Sequence, residues 1–214
     1  MFLISPMKMK IVLATNNRHK CAEMAEILVK MPITLLSLDE FPEIGEIIED
    51  GKTLEENALI KAHTIHKLTN LPAIADDTGL EVDVLNGKPG IYSARYAGEN
   101  CSYADNVNKL LHEMTNIPQK KRSALFRTAI VYVDDNMELA TEGVVKGIIT
   151  DVTKGVDGFG YDPVFYVPNM KRTYAEMSMN EKNQLSHRGK AVRNMQKLLQ
   201  SRLPQIFHQM EDIA

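Results

Sequence analysis

The sequence predicts an α/β protein in which a mixed central sheet is flanked by helices and two lobes enclose a cleft. Three observations carry that expectation. Short β-rich runs alternate with helical periodicity over the first third of the chain, a β-α-β-α-β order that signals parallel strands joined by right-handed crossovers. Two long strand-like runs then flank Asp135-Asn136 and predict an antiparallel hairpin in the second lobe. With 214 residues and no linker rich in Pro, Gly or Ser, the chain fits one domain over 1–214, its two lobes sharing a cleft, with 1–9 as a poorly structured extension.

Residues 10–15 (KIVLAT) form the first strand, and Cys21, Met24, Ala25 and Leu28 fall at helical spacing after a polar stretch. The turn between them points backbone N–H groups and the side chains of Thr15, Asn17 and Lys20 at one spot, an arrangement that attracts phosphate. The glycines of a Walker loop are absent, and a solvated turn with a surface lysine is the equal alternative. Residues 33–38 (ITLLSL) read as a second strand, followed by an acidic loop carrying Glu40, Glu43, Glu46, Glu49 and Asp50. Thr53 and Glu56 have capping-box spacing and open a helix whose stripe is Ala58, Ala62, Ile65 and Leu68. Lys61 on that helix faces either water or the cleft.

Residues 72–75 are a short buried strand, so Asp76 and Asp77 fall at its carboxyl end, where open α/β sheets bind ligands. Adjacent carboxylates are costly without a cation; capping or turn aspartates ahead of Thr78-Gly79 are the structural alternative. Ser102 and Asp105 cap a further helix, and residues 123–134 and 137–150 are the two arms of the hairpin. In residues 155–168 (GVDGFGYDPVFYVP) glycines surround Phe159, Tyr161 and Asp162, giving either a ligand-stacking loop or a β-turn with a packed Phe. Residues 181–190 (EKNQLSHRGK) gather Lys182, Ser186, His187 and Arg188 ahead of a last helix, AVRNMQKLLQSRL, as donors for phosphate or a carbonyl, or as surface charge.

A net charge of −3, from 25 basic and 28 acidic side chains, gives no nucleic-acid footprint. No run is long and apolar enough for a membrane span, and MFLISPMKMK lacks a signal peptide's basic start and cleavage site. Two distant cysteines, Cys21 and Cys101, fit a reducing cytosol and a cytoplasmic protein.

Taken in order, ATNNRHK, ENALIKA, IADDTGLEVDVLNGKPGIYSARYAG, GFGYDPVF and EKNQLSHRGKA resemble the inosine/xanthosine triphosphate pyrophosphatase family over nearly the whole chain. The resemblance implies the two-lobed ITPase-like (Maf/HAM1-type) fold, a homodimer, and Mg²⁺-dependent hydrolysis of ITP, dITP or XTP to monophosphate and pyrophosphate. It implies Asp77 as proton acceptor and metal ligand, with Glu49 the second metal ligand and Glu46 its rival. Thr15, Asn16, Asn17, Arg18, His19 and Lys20 correspond to the triphosphate loop. Lys61, Thr78, Phe159, Gly160, Tyr161, Asp162, Lys182, His187 and Arg188 correspond to other substrate positions, His187 or Arg188 donating to the 6-keto oxygen. Two positions depart from the family pattern: Asn16 stands where glycine is usual, and Thr78 where serine is frequent. A pyrimidine-directed sister class and a non-catalytic nucleotide-binding module are the competing readings.

Overall fold

The computed structural model describes residues 8–204. Most of the expected extension over 1–9 therefore lies outside the described residues, and Met9 already begins β1 (Met9–Leu13). The order continues with α1 (Arg18–Leu28), β2 (Ile33–Leu36), α2 (Leu54–Thr69) and β3 (Ala73–Val82). β1 pairs in parallel with both β2 and β3, as the alternation of elements predicts. β4 (Pro89–Gly90) folds back antiparallel on β3, and α3 (Tyr103–Glu113) follows. The predicted hairpin is β5 (Ser123–Val133) and β6 (Glu138–Ile149), and β5 lies antiparallel along the whole of β3. β7 (Phe165–Val167), β8 (Arg172–Thr173), α4 (Met179–Leu185) and α5 (His187–Arg202) complete the chain. One mixed sheet, ordered β2-β1-β3-β5-β6-β7-β8 with β4 on β3, runs through both lobes.

Alternate strand residues supply opposite faces. Ile11, Leu13, Ile74, Ile130 and Tyr132 pack against Met24 and Leu28 of α1 and Val192 and Met195 of α5. Their neighbours Val12, Ala73, Ala75, Val131 and Val133 pack against Ala58, Ala62 and Ile65 of α2. A third cluster, around Leu80, Val82, Phe126, Leu110 and Phe165, fills the second lobe.

Several expectations are corrected. Asp76 and Asp77 are neither at a strand end nor in a turn: β3 continues to Val82 because β5 pairs with it throughout. Only the parallel neighbour stops, since β1 meets β3 at Ala73 and Ile74 alone, which opens the sheet beside the two aspartates. Gly79 lies within the strand rather than in a loop; a Cβ there would come 2.7 Å from the Gly90 carbonyl oxygen, so it admits β4. His187 and Arg188 do not precede the last helix but begin it, with Ser186 as N-cap accepting from the Gly189 N–H. Leu68, placed on the apolar stripe of α2, is exposed, and Glu56 accepts from Lys52 N rather than closing a reciprocal capping box.

Candidate active site

The N-terminus of α1 forms one wall. Asn17 caps it, its Oδ1 accepting from His19 N at 3.0 Å and Lys20 N at 3.3 Å, while Thr15 Oγ1 accepts from Asn17 N at 3.2 Å. These amides, expected to be open to an anion, are thus capped from within, and Lys20 is the group that projects. Its Nζ lies 3.1 Å from Asp76 Oδ2, and burial lowers its pKa despite that partner. Asn16 is exposed at the rim. Arg18 is exposed at the helix start, and His19 turns away to stack on Phe159, ring centroids 5.0 Å apart.

The adjacent aspartates of β3 face opposite sides of the sheet. Asp76 is fully buried on the α5 side, where Arg188 Nε donates at 3.2 Å and Thr78 Oγ1 at 3.2 Å. Burial pushes its carboxyl up, but Lys20 and Arg188 outweigh this and hold it well below the usual range. Asp77 faces α2, where Asn57 Nδ2 donates to it at 3.1 Å and Lys61 Nζ lies 3.9 Å away. Here burial wins, raising the carboxyl above its ordinary value despite Lys61 and Lys20. Lys61 therefore faces the cleft, and its Nζ also donates to Glu49 Oε2 at 2.7 Å. Glu49 and Asp77 both approach Lys61 Nζ, at 2.7 and 3.9 Å, and Glu49 raises the Asp77 carboxyl; as hard oxygen donors the two are of the kind that Mg²⁺ takes, one or two carboxylates beside substrate phosphates. Glu46 lines the same space but is more exposed and holds no partner among the described residues. Asp76, committed to Lys20 and Arg188, stands apart from this pair.

Behind the opposite wall lies a buried charge cluster. Lys182 Nζ donates to Glu23 Oε1 at 2.7 Å and Asp162 Oδ2 at 2.5 Å, and Arg188 pairs with Glu23 as well as with Asp76 and Thr78. Burial and the neighbouring Arg188 and Lys182 push the His187 imidazole well below its ordinary value, so it is neutral. Its ring stacks on Phe126 at 4.4 Å. None of Lys182, His187 and Arg188 is surface charge. Glu23 was not anticipated; an acid next to Met24, on the inward side of an apolar stripe, is the signal that marks it. Asn57 and Tyr103 were missed too, since nothing local distinguishes them from ordinary helix residues.

Two compartments share Asn17, Lys20, Asp77, Thr78 and Ala94 as common walls. One, of about 620 Å³ including its mouth, is lined by Tyr103, Phe126, Phe159, Gly160, Tyr161, Asp162, Lys182, His187 and Arg188. The other, of about 920 Å³ including its mouth, is lined by Thr15, Asn16, Glu46, Glu49, Lys61 and Arg95. Aromatic rings and the buried charge cluster wall the first, while Lys20 and Lys61 meet the carboxylates Glu49 and Asp77 in the second.

Residues 11–198 match the model of the Ham1 family, and the chain belongs to this family. It is 49% identical to the dITP/XTP pyrophosphatase of Geobacter sulfurreducens over 184 residues, 86% of this chain and 92% of that protein. The solved structure of a HAM1 protein from Coxiella burnetii superposes with a TM-score of 0.83 at 42% identity, covering 90% of this chain and 99% of that one. The Staphylococcus aureus Ham1 protein superposes with a TM-score of 0.81 at 41% identity, covering 90% and 99%.

Proposed function

We propose that this chain is a nucleoside triphosphate pyrophosphatase that hydrolyses dITP, XTP and ITP to the monophosphate and pyrophosphate, clearing non-standard purines from the nucleotide pool. The observation that carries the reading is the joined pair of compartments, with Asp77 and Lys20 on the wall that the two share. The names of relatives such as that of Geobacter sulfurreducens support it.

Glu49 and Asp77 would hold Mg²⁺, which supplies charge neutralisation and orientation of the phosphates. Asp77 takes a proton from the attacking water as it adds to the α-phosphorus, a role favoured by the burial that raises its carboxyl above the ordinary value despite Lys61 and Lys20. Lys20 and Lys61 offset the charge on the phosphates, and Phe159 stacks on the base. His187 and Arg188 are the two candidates for reading the 6-keto oxygen. Arg188 Nε, Nη1 and Nη2 each already donate within the protein, whereas His187 Nδ1 is buried with no partner among the described residues, so His187 is favoured. A ligand that leaves such a polar atom unpaired is rejected by up to about 10⁴-fold.

A homodimer in the cytoplasm is the assembly and location suggested by the family resemblance; light scattering tests the former. Among the described residues no helix is long and apolar enough to cross a membrane. The deciding experiment is a panel of ITP, dITP, XTP, ATP, GTP, UTP and dTTP with Mg²⁺, scored for monophosphate and pyrophosphate. Preference for the first three is expected. Preference for UTP or dTTP would assign the pyrimidine class instead, and binding of ITP without pyrophosphate release would make the chain a binding module.

A further inference from the structure

Among the described residues, each lysine and arginine lining the two compartments is tied to a carboxylate, with one exception. Lys20 is on Asp76, Lys61 on Glu49, Lys182 on Glu23 and Asp162, and Arg188 on Glu23 and Asp76. Arg95 lines the wide compartment with Lys20 and Lys61, and among the described residues its side chain has no hydrogen bond or ion pair; its guanidinium rests 5.3 Å from the centroid of Tyr92.

The backbone beneath it is anchored. Ser93 Oγ accepts from Leu80 N at 2.9 Å and donates to Gly90 O at 2.6 Å, which ties the Ser93–Arg95 turn to β3. Tyr161 Oη donates to Ser93 O at 3.0 Å, and Asn106 joins the turn to α3 by donating to Ala94 O at 3.0 Å and accepting from Ala97 N at 2.7 Å. A rigid platform thus presents an uncommitted guanidinium to the compartment that also holds Lys20, Lys61, Glu49 and Asp77.

We propose that Arg95 is a further catalytic residue of the hydrolysis proposed above, gripping the β- and γ-phosphates and the pyrophosphate that leaves. The inference rests on that reading of the site. As the water oxygen bonds to the α-phosphorus and gives its proton to Asp77, the bond from that phosphorus to the α,β-bridging oxygen breaks. The electron pair goes to the departing pyrophosphate. Charge therefore grows on the pyrophosphate during the step, and a planar guanidinium with paired N–H donors meets two phosphate oxygens at once, which an ammonium does not. Lysines already neutralised by carboxylates supply less of that stabilisation than a cation held in reserve.

The test is Arg95→Ala and Arg95→Lys in the full chain with Mg²⁺, measured for ITP turnover, product inhibition by pyrophosphate and by inosine monophosphate, and thermal unfolding. Arg95→Ala is expected to lower kcat/KM by about 10²-fold, as removal of one transition-state donor does elsewhere. Pyrophosphate inhibition should weaken, monophosphate inhibition and Tm should stay unchanged, and Arg95→Lys should recover part of the loss. Unchanged kcat/KM, or a loss in which pyrophosphate inhibition is untouched, overturns the proposal. Should the wild type hydrolyse no purine triphosphate, the functional reading fails on its own. Calorimetric binding of Mg²⁺ and pyrophosphate, equal in wild type and Arg95→Ala, would then overturn Arg95 separately.

Discussion

Asp77 is a carboxylate whose charge burial disfavours, so the fold gains little from its ionised form. Asp77→Asn is accordingly expected to keep Tm while turnover at saturating Mg²⁺ falls by at least about 10²-fold, the scale of a lost general base. Steady-state kinetics beside a melting curve checks both halves, and activity near that of the wild type would remove Asp77 from its role. Glu23 is the opposite case. Burial raises its pKa but Arg188 and Lys182 outweigh this, so its charge is held by two buried partners. Glu23→Ala leaves those cations relying on Asp162 and Asp76 alone, and breaking a buried pair costs about 3–5 kcal/mol. Denaturant titration should show the loss, and a near-neutral result would mean that the remaining carboxylates suffice. The family resemblance named Asp77, Lys182 and Arg188 as site positions; Glu23 carried only the signal of an acid beside Met24, because its partners lie in α4 and α5, more than 150 residues along the chain.

At the scale of the element, α5 is what brings His187 and Arg188 to the site, and β6 is what seats α5. A Cβ at Gly143 would lie 2.1 Å from the His187 carbonyl oxygen and 2.5 Å from Ala191 N. Gly143→Ala must therefore lift the first turn of α5 from the sheet, an overpacking that costs about 1–3 kcal/mol. Activity is expected to fall with Tm, although Gly143 touches no substrate compartment; full activity would show that the helix start is free to shift. Most elements were legible: Thr53 and Ser102 cap their helices, and the hairpin turns at Asp134 to Met137. The ends of β3 and α5 were not. Pairing with β5 carries β3 through Asp77, and Ser186 starts α5 earlier than its apolar periodicity does.

For the whole molecule, His187 and Asp76 are among the buried groups that titrate differently in the folded and unfolded chain and so contribute to its pH dependence. Folding holds the His187 imidazole neutral, so below about 6.5, the ordinary histidine value, the unfolded chain takes up a proton that the folded one refuses. Stability conferred by the ionised Asp76 is present above about 3.9 and is lost as acid protonates it. Tm is expected to decline below about 6.5, less steeply in His187→Gln; calorimetric scans across pH would read it. A flat Tm down to pH about 5 would mean that His187 takes up its proton in the folded state as well.

By itself the sequence determined the alternation of strands and helices, the caps, the hairpin and the segments that build the site, because each depends on near neighbours along the chain. Only the tertiary structure decided that Asp76 and Asp77 serve opposite faces, that Lys61 faces the cleft, and that Arg95, among the described cations lining the cleft, has no carboxylate partner. Those outcomes depend on which helix covers which face of the sheet and which distant carboxylate each cation meets. Such pairings are set by long-range packing, which local residue patterns do not encode.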